Sequence, residues 1–121
     1  YMNRAVINCD YSAVTAACMM TKRSLFEQVK GFDEQFVVAC NDVDYCLKLR
    51  EINKLIVYNA FAEWYHYESK SRGYEDTKEK QERFRKEIER FGVKWKKYLD
   101  HGDPFYNKNF SVLLEPFRLG S

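Results

Sequence analysis

No run of apolar residues in this 121-residue sequence approaches the roughly 18 that a membrane-crossing helix needs, so no span of that kind is expected. A strong charge of one sign is also missing. Twenty Lys and Arg stand against 18 Asp and Glu, a formal net charge of +2, with acids and bases interspersed. Phosphate backbones are bound by concentrated basic faces, which argues against nucleic acid as the main partner. The four cysteines, Cys9, Cys18, Cys40 and Cys46, form no Cys-x-x-Cys pair and have apolar neighbours such as Ala17, Met19 and Ala39. Buried free thiols in a reducing compartment are expected rather than disulfides. His66 and His101 match no common zinc spacing with these cysteines. Repeats, low-complexity segments and a glycine-rich phosphate loop are all lacking, and no Asp-x-Asp closes a strand. Position 1 is Tyr, and no signal-type apolar stretch opens the chain. The expectation is a piece of a longer protein.

What is present is a foldable composition, 45% hydrophobic and 17% aromatic. Arg4 to Cys9 and Thr15 to Met20 have the small and β-branched content of strands, and the second reads as buried on both faces. Ser24 to Lys30 reads as a short helix, with Ser24 and Glu27 as a capping box and Gly31 just past its end. A second helix is expected over Asp42 to Glu51, capped by Asn41, with Val43, Cys46 and Leu47 on one side. Leu55 to Tyr58 and Ala62 to Tyr67 read as strands, with Trp64 and Tyr65 assigned to the core. The longest helix is predicted from Thr77 to Leu99. Phe84, Ile88, Phe91, Trp95 and Tyr98 form its apolar stripe, while Glu79/Arg83 and Glu82/Lys86 are spaced for pairing on the other side. Gly92 is the expected place for a kink. The aromatics of the tail, such as Phe105 and Phe110, suggest that it packs on something.

Two groupings carry chemistry. One is Gly31-Phe32-Asp33-Glu34 followed by Asn41-Asp42-Val43-Asp44; the other is His66 leading into Glu68-Ser69-Lys70-Ser71-Arg72-Gly73. With Val14-Thr15-Ala16-Ala17-Cys18-Met19-Met20, Arg23-Ser24-Leu25-Phe26, Asp42 through Arg50 and Tyr65-His66-Tyr67-Glu68-Ser69, they appear in an order that resembles the C-terminal half of bacterial family 2 glycosyltransferases. The resemblance covers about residues 14 to 73. It implies an α/β fold: the acceptor-side fragment of a Rossmann-like GT-A domain, with few strands and three helices, one of them long and C-terminal. Residues 1–75 would be the portion bearing the catalytic base, and 76–121 a long amphipathic helix and extension packing on it.

The resemblance also implies roles. Asp42 matches the acidic pair that contains the catalytic base, with Asn41 in place of the usual Glu. His66 matches a histidine that helps hold a divalent metal, Mn²⁺ or Mg²⁺, whose other ligands lie in a donor half absent from this chain. Asp33, Glu34 and Asn41 become acceptor-binding candidates. Lys70 and Arg72 become candidates for the donor diphosphate, on a loop that folds over it. The implied partners are a nucleotide-diphosphate sugar and a saccharide or lipid-linked acceptor, in cell-surface polysaccharide synthesis. The implied location is cytoplasmic, at or near the inner face of the membrane.

Physical chemistry supports a carboxylate at this place, because inverting transfer needs a general base for the acceptor hydroxyl and a helix N-terminus keeps such a group ionised. Leaving diphosphate charge is met by a Lewis acid, and an imidazole ligand favours Mn²⁺. Each residue also has a plainer reading. Asp42 and Asp44 suit the first turn of any helix, Asp33 and Glu34 a turn after Gly31, and Lys70 and Arg72 a solvated loop. The competing function is a non-catalytic interaction module with a charged helical face. Without its donor half the fragment is expected to be inactive in transfer and to self-associate through exposed edges and apolar faces.

Overall fold

The computed structural model describes residues 6–65 and 77–110. In chain order these form β1 (Cys9–Tyr11), a 3-10 turn (Ala16–Cys18), α1 (Arg23–Gln28), α2 (Asn41–Glu51), β2 (Ile56–Tyr58), α3 (Lys78–Lys94) and α4 (Lys96–His101). The strands pair antiparallel as a two-stranded sheet, with Cys9 opposite Tyr58, Asp10 opposite Val57 and Tyr11 opposite Ile56.

The middle of the molecule is α2. Asp44, Tyr45, Cys46, Leu47 and Leu49 are all buried, so its apolar surface is not the single stripe the spacing predicts. A helix buried on several sides packs against more than one neighbour. Leu47 joins Phe36, Phe91 and Trp95 in one core, flanked by Cys40, Val43 and Tyr98. Tyr45, Cys46 and Leu49 join Ile56 in a second, flanked by Val14, Met19, Leu25 and Val29 among others. The Tyr45 ring also meets Phe26 and Phe32, with centroids 5.6 and 5.1 Å away, and its hydroxyl donates to Thr21 Oγ1.

Several predicted elements are corrected. The stretch Thr15 to Met20 is not a buried strand: Ala16, Ala17 and Cys18 form a 3-10 turn and are exposed. Its N–H groups go to side chains instead of a sheet ladder, Ala17 to Thr15 Oγ1 and Ala16 to Asp42 Oδ2. The first strand lies at Cys9–Tyr11, later than expected. The capping box at Ser24 is not made. The cap position of α1 is Lys22, and Glu27 pairs with Arg23 at 2.8 Å rather than reaching back. Similarly, Cys40 is the cap residue of α2 and Asn41 its first member.

The described part of the expected strand at Ala62 to Tyr67 is irregular, and Trp64 and Tyr65 are exposed rather than core. The long helix divides at Trp95, not Gly92, so four α-helices stand among the described residues where three were expected. Trp95 is drawn into the core, where its indole meets a buried carboxylate. Of the stripe, Phe91 and Trp95 are buried and Tyr98 is half-buried, while Phe84 and Ile88 remain exposed. The described part of the tail packs back. Asp103 accepts from Ser12 Oγ at 2.6 Å, and Phe105 lies under the Arg50 guanidinium at 4.8 Å. All four cysteines are unpaired, but of the four only Cys46 is buried; Cys9 and Cys40 are half-buried and Cys18 is exposed. Among the described residues no helix is long and apolar enough to cross a membrane.

Candidate functional site

The site is organised by the entry into α2. Gly31, with φ 61°, ends the α1 segment, and Asp33 opens a turn by accepting the Gln35 N–H at 3.0 Å and the Phe36 N–H through its carbonyl. The chain then bends through 37–39 to Cys40, which has the left-handed φ of 61° rarely taken by a side-chain-bearing residue. The Cys40 carbonyl accepts from Asp44 N–H at 2.8 Å, and α2 begins.

Asp42 and Asp44 sit in this first turn and meet opposite environments. The Asp42 carboxylate is half-buried. Its Oδ1 accepts the Val43 N–H at 2.8 Å and its Oδ2 the Ala16 N–H at 3.2 Å. Each oxygen keeps a further lone pair, because a carboxylate oxygen can accept two hydrogen bonds. Asn41 Oδ1 accepts the Asp42 N–H at 2.8 Å, steadying the same turn.

Asp44 is fully buried. Its Oδ1 accepts from Trp95 Nε1 at 2.8 Å and lies 2.6 Å from Lys94 Nζ, while Lys48 Nζ stands 3.5 Å from Oδ2. Lys94 also pairs with Asp33 Oδ2 at 2.8 Å. That ammonium and the Gln35 N–H hold the Asp33 carboxyl below its ordinary range. Lys94 itself is pushed down by burial and, more strongly in sum, up by Asp33 and Asp44, so it stays a cation. Asp33 is therefore engaged in an internal pair, whereas Glu34 is exposed beside a shallow groove along α3.

One buried acid was not singled out from sequence. Glu87, 2% exposed, lies on α3 and accepts the N–H groups of Val38 at 3.0 Å and Ala39 at 2.6 Å. Burial raises its carboxyl pKa, but these bonds and the Val37 N–H outweigh it and the net direction is down. The signal available in the sequence was its i,i+4 register with Phe91 and Trp95 on the buried side of α3. Burial pushes the Cys40 thiol up, with the charges of Asp42, Glu87 and Asp44 adding to it.

His66, Lys70 and Arg72 lie outside the described residues. Among the described residues no three His, Cys, Asp or Glu side chains stand together so as to hold a metal ion. The implied cation ligand, His66, is not among the described residues, and no chemical step is derived through a metal.

The chain's similarity to known proteins differs sharply in coverage. An uncharacterised protein of Sinorhizobium fredii is 44% identical over the whole of this chain, which spans 13% of its length. The O-antigen biosynthesis protein RfbC of Myxococcus xanthus is 38% identical over 63 residues, 52% of this chain and 5% of that protein. An N-acetylglucosaminyl-diphospho-decaprenol L-rhamnosyltransferase of Mycobacterium tuberculosis is 37% identical over 60 residues, 50% of this chain and 20% of that enzyme. About half of this chain is similar to a glycosyltransferase. The chain spans a fifth or less of the length of each of these relatives. No family model matches the chain, and no solved structure matches it.

Proposed function

We propose that this chain is the acceptor-side part of an inverting glycosyltransferase of the family 2, GT-A type, with Asp42 as general base. The parent protein would move a sugar from a nucleotide-diphosphate sugar to a hydroxyl of a saccharide or lipid-linked acceptor, in the synthesis of a cell-surface polysaccharide. The similarity to a rhamnosyltransferase and an O-antigen protein supports the class of reaction. The observation that carries the base is the contrast between the two acids of one turn. Asp44 is buried under an indole and an ammonium, whereas Asp42 is held by one N–H on each oxygen with acceptor capacity to spare.

In the proposed reaction a free lone pair of Asp42 takes the proton of the acceptor hydroxyl. The hydroxyl oxygen then bonds to the anomeric carbon on the face opposite the diphosphate, whose C–O bond breaks as it leaves with the bonding electrons. His66 is assigned to a divalent cation, and Lys70 and Arg72 to the donor diphosphate, by the resemblance alone.

The test is Asp42→Asn in the complete protein, assayed with radiolabelled UDP-, GDP- and dTDP-sugars and detergent-extracted lipid-linked acceptors. Turnover should fall by roughly 10²–10⁴-fold, the usual contribution of a general base, while circular dichroism stays unchanged. Full turnover in that variant would sink the assignment and favour the interaction module. The 121-residue chain by itself should transfer no sugar under the same conditions.

A further inference from the structure

Helix α3 does more than cover apolar surface. The successive N–H groups of Val38 and Ala39 converge on one oxygen of the Glu87 carboxylate, a cradle of the kind that binds anions. An internal carboxylate fills it here. The next residue, Cys40, holds a left-handed conformation, which persists only where its surroundings over-determine it. Asp42 follows two positions later. A second anchor acts from the other side of the same turn, where Trp95 Nε1 and Lys94 Nζ grip Asp44. Both anchors come from α3 or its C-terminal cap, and both clamp the residues that bracket Asp42. An apolar side chain in place of Glu87 would fill the volume but leave the Val38 and Ala39 N–H groups unpaired.

We propose that Glu87, supported by Trp95, is a positioning residue for the Asp42 carboxylate, which rests on Asp42 being the base as proposed above. On this view α3 belongs to the reaction apparatus, although it contributes no group to the reacting atoms.

The test compares Glu87→Gln, Glu87→Ala and Trp95→Phe in the complete protein, with Ile56→Val as a control that loosens the other core. Glu87→Gln should lower kcat by roughly ten- to a hundredfold with both KM values unchanged, as expected for a misplaced group. Glu87→Ala should lower it further, and Ile56→Val should change stability but not kcat well below the unfolding midpoint. Amide exchange read by NMR or mass spectrometry supplies a second measure. Exchange at Val38 and Ala39 should quicken in Glu87→Gln, and with it exchange at Ala16 and Val43, the two donors to Asp42. Unchanged kcat in folded Glu87→Gln, or unchanged exchange at Ala16 and Val43, overturns the positioning role. Should Glu87→Gln fail to fold, the kcat of Trp95→Phe decides. Full turnover in Asp42→Asn would instead remove the base itself, an outcome distinct from losing the Glu87 effect alone.

Discussion

Asp42 and Asp44 differ in what their removal should do. Asp44→Asn takes the negative charge away from Lys48 and from Lys94, but Lys94 is partly exposed and keeps Asp33, so the loss should lie at or below the low end of the about 3–5 kcal/mol of fully buried pairs. Asp42→Asn keeps one oxygen for the backbone and should cost no more than about 1.5 kcal/mol, measured for both variants by urea unfolding. The proposed loss of activity thus falls on the variant with the smaller loss of stability. Acid should reveal the other two carboxylates. Asp33 and Glu87 are both held below their ordinary range, so on acidification the unfolded chain binds protons before the native one does. Their stabilisation is complete above the unfolded carboxyl pKa, near 4, and is lost as pH falls through the lower native values. The urea midpoint should be level at neutral pH and fall in that acid range, with a shallower fall in Glu87→Gln.

Among the elements, α3 and the end of α1 make opposite demands on glycine. Gly92 sits inside α3, and a Cβ built there meets nothing within 4 Å. Gly92→Ala should therefore raise stability by about 0.5–1 kcal/mol, seen as a higher thermal midpoint. Gly31 has φ 61°, and an added Cβ would come within 2.7 Å of the Phe26 ring. Gly31→Ala should lose more than about 1 kcal/mol, because both the backbone and the aromatic packing resist it. The existence of α2, α3 and β2 was legible from apolar spacing and β-branched content, whereas the caps expected at Ser24 and Asn41 are not the ones the fold uses. The break in the long helix was not. A glycine was the local candidate, but the buried bond between Trp95 and Asp44, 51 residues apart, decided the position.

At the scale of the molecule, the sheet among the described residues has two three-residue strands, a size that is marginal by itself. Val57, Phe61, Trp64, Phe84 and Ile88 are exposed on this chain. Exposed apolar side chains promote association where they form a contiguous patch. Sedimentation velocity of the isolated chain should show the mean sedimentation coefficient rising with concentration, and a constant monomer value would refute this.

Residue order and type were enough to indicate a chain that mixes helix and strand, its main helices and the acidic turn around Asp42. These are local properties, set by periodicity and short motifs. Only tertiary structure separated Asp42 from Asp44, exposed the Ala16–Cys18 turn and brought Glu87 onto the amides of Val38 and Ala39. The reason is physical: whether a carboxylate is free to accept a proton depends on partners many positions away, and sequence spacing does not record who those partners are.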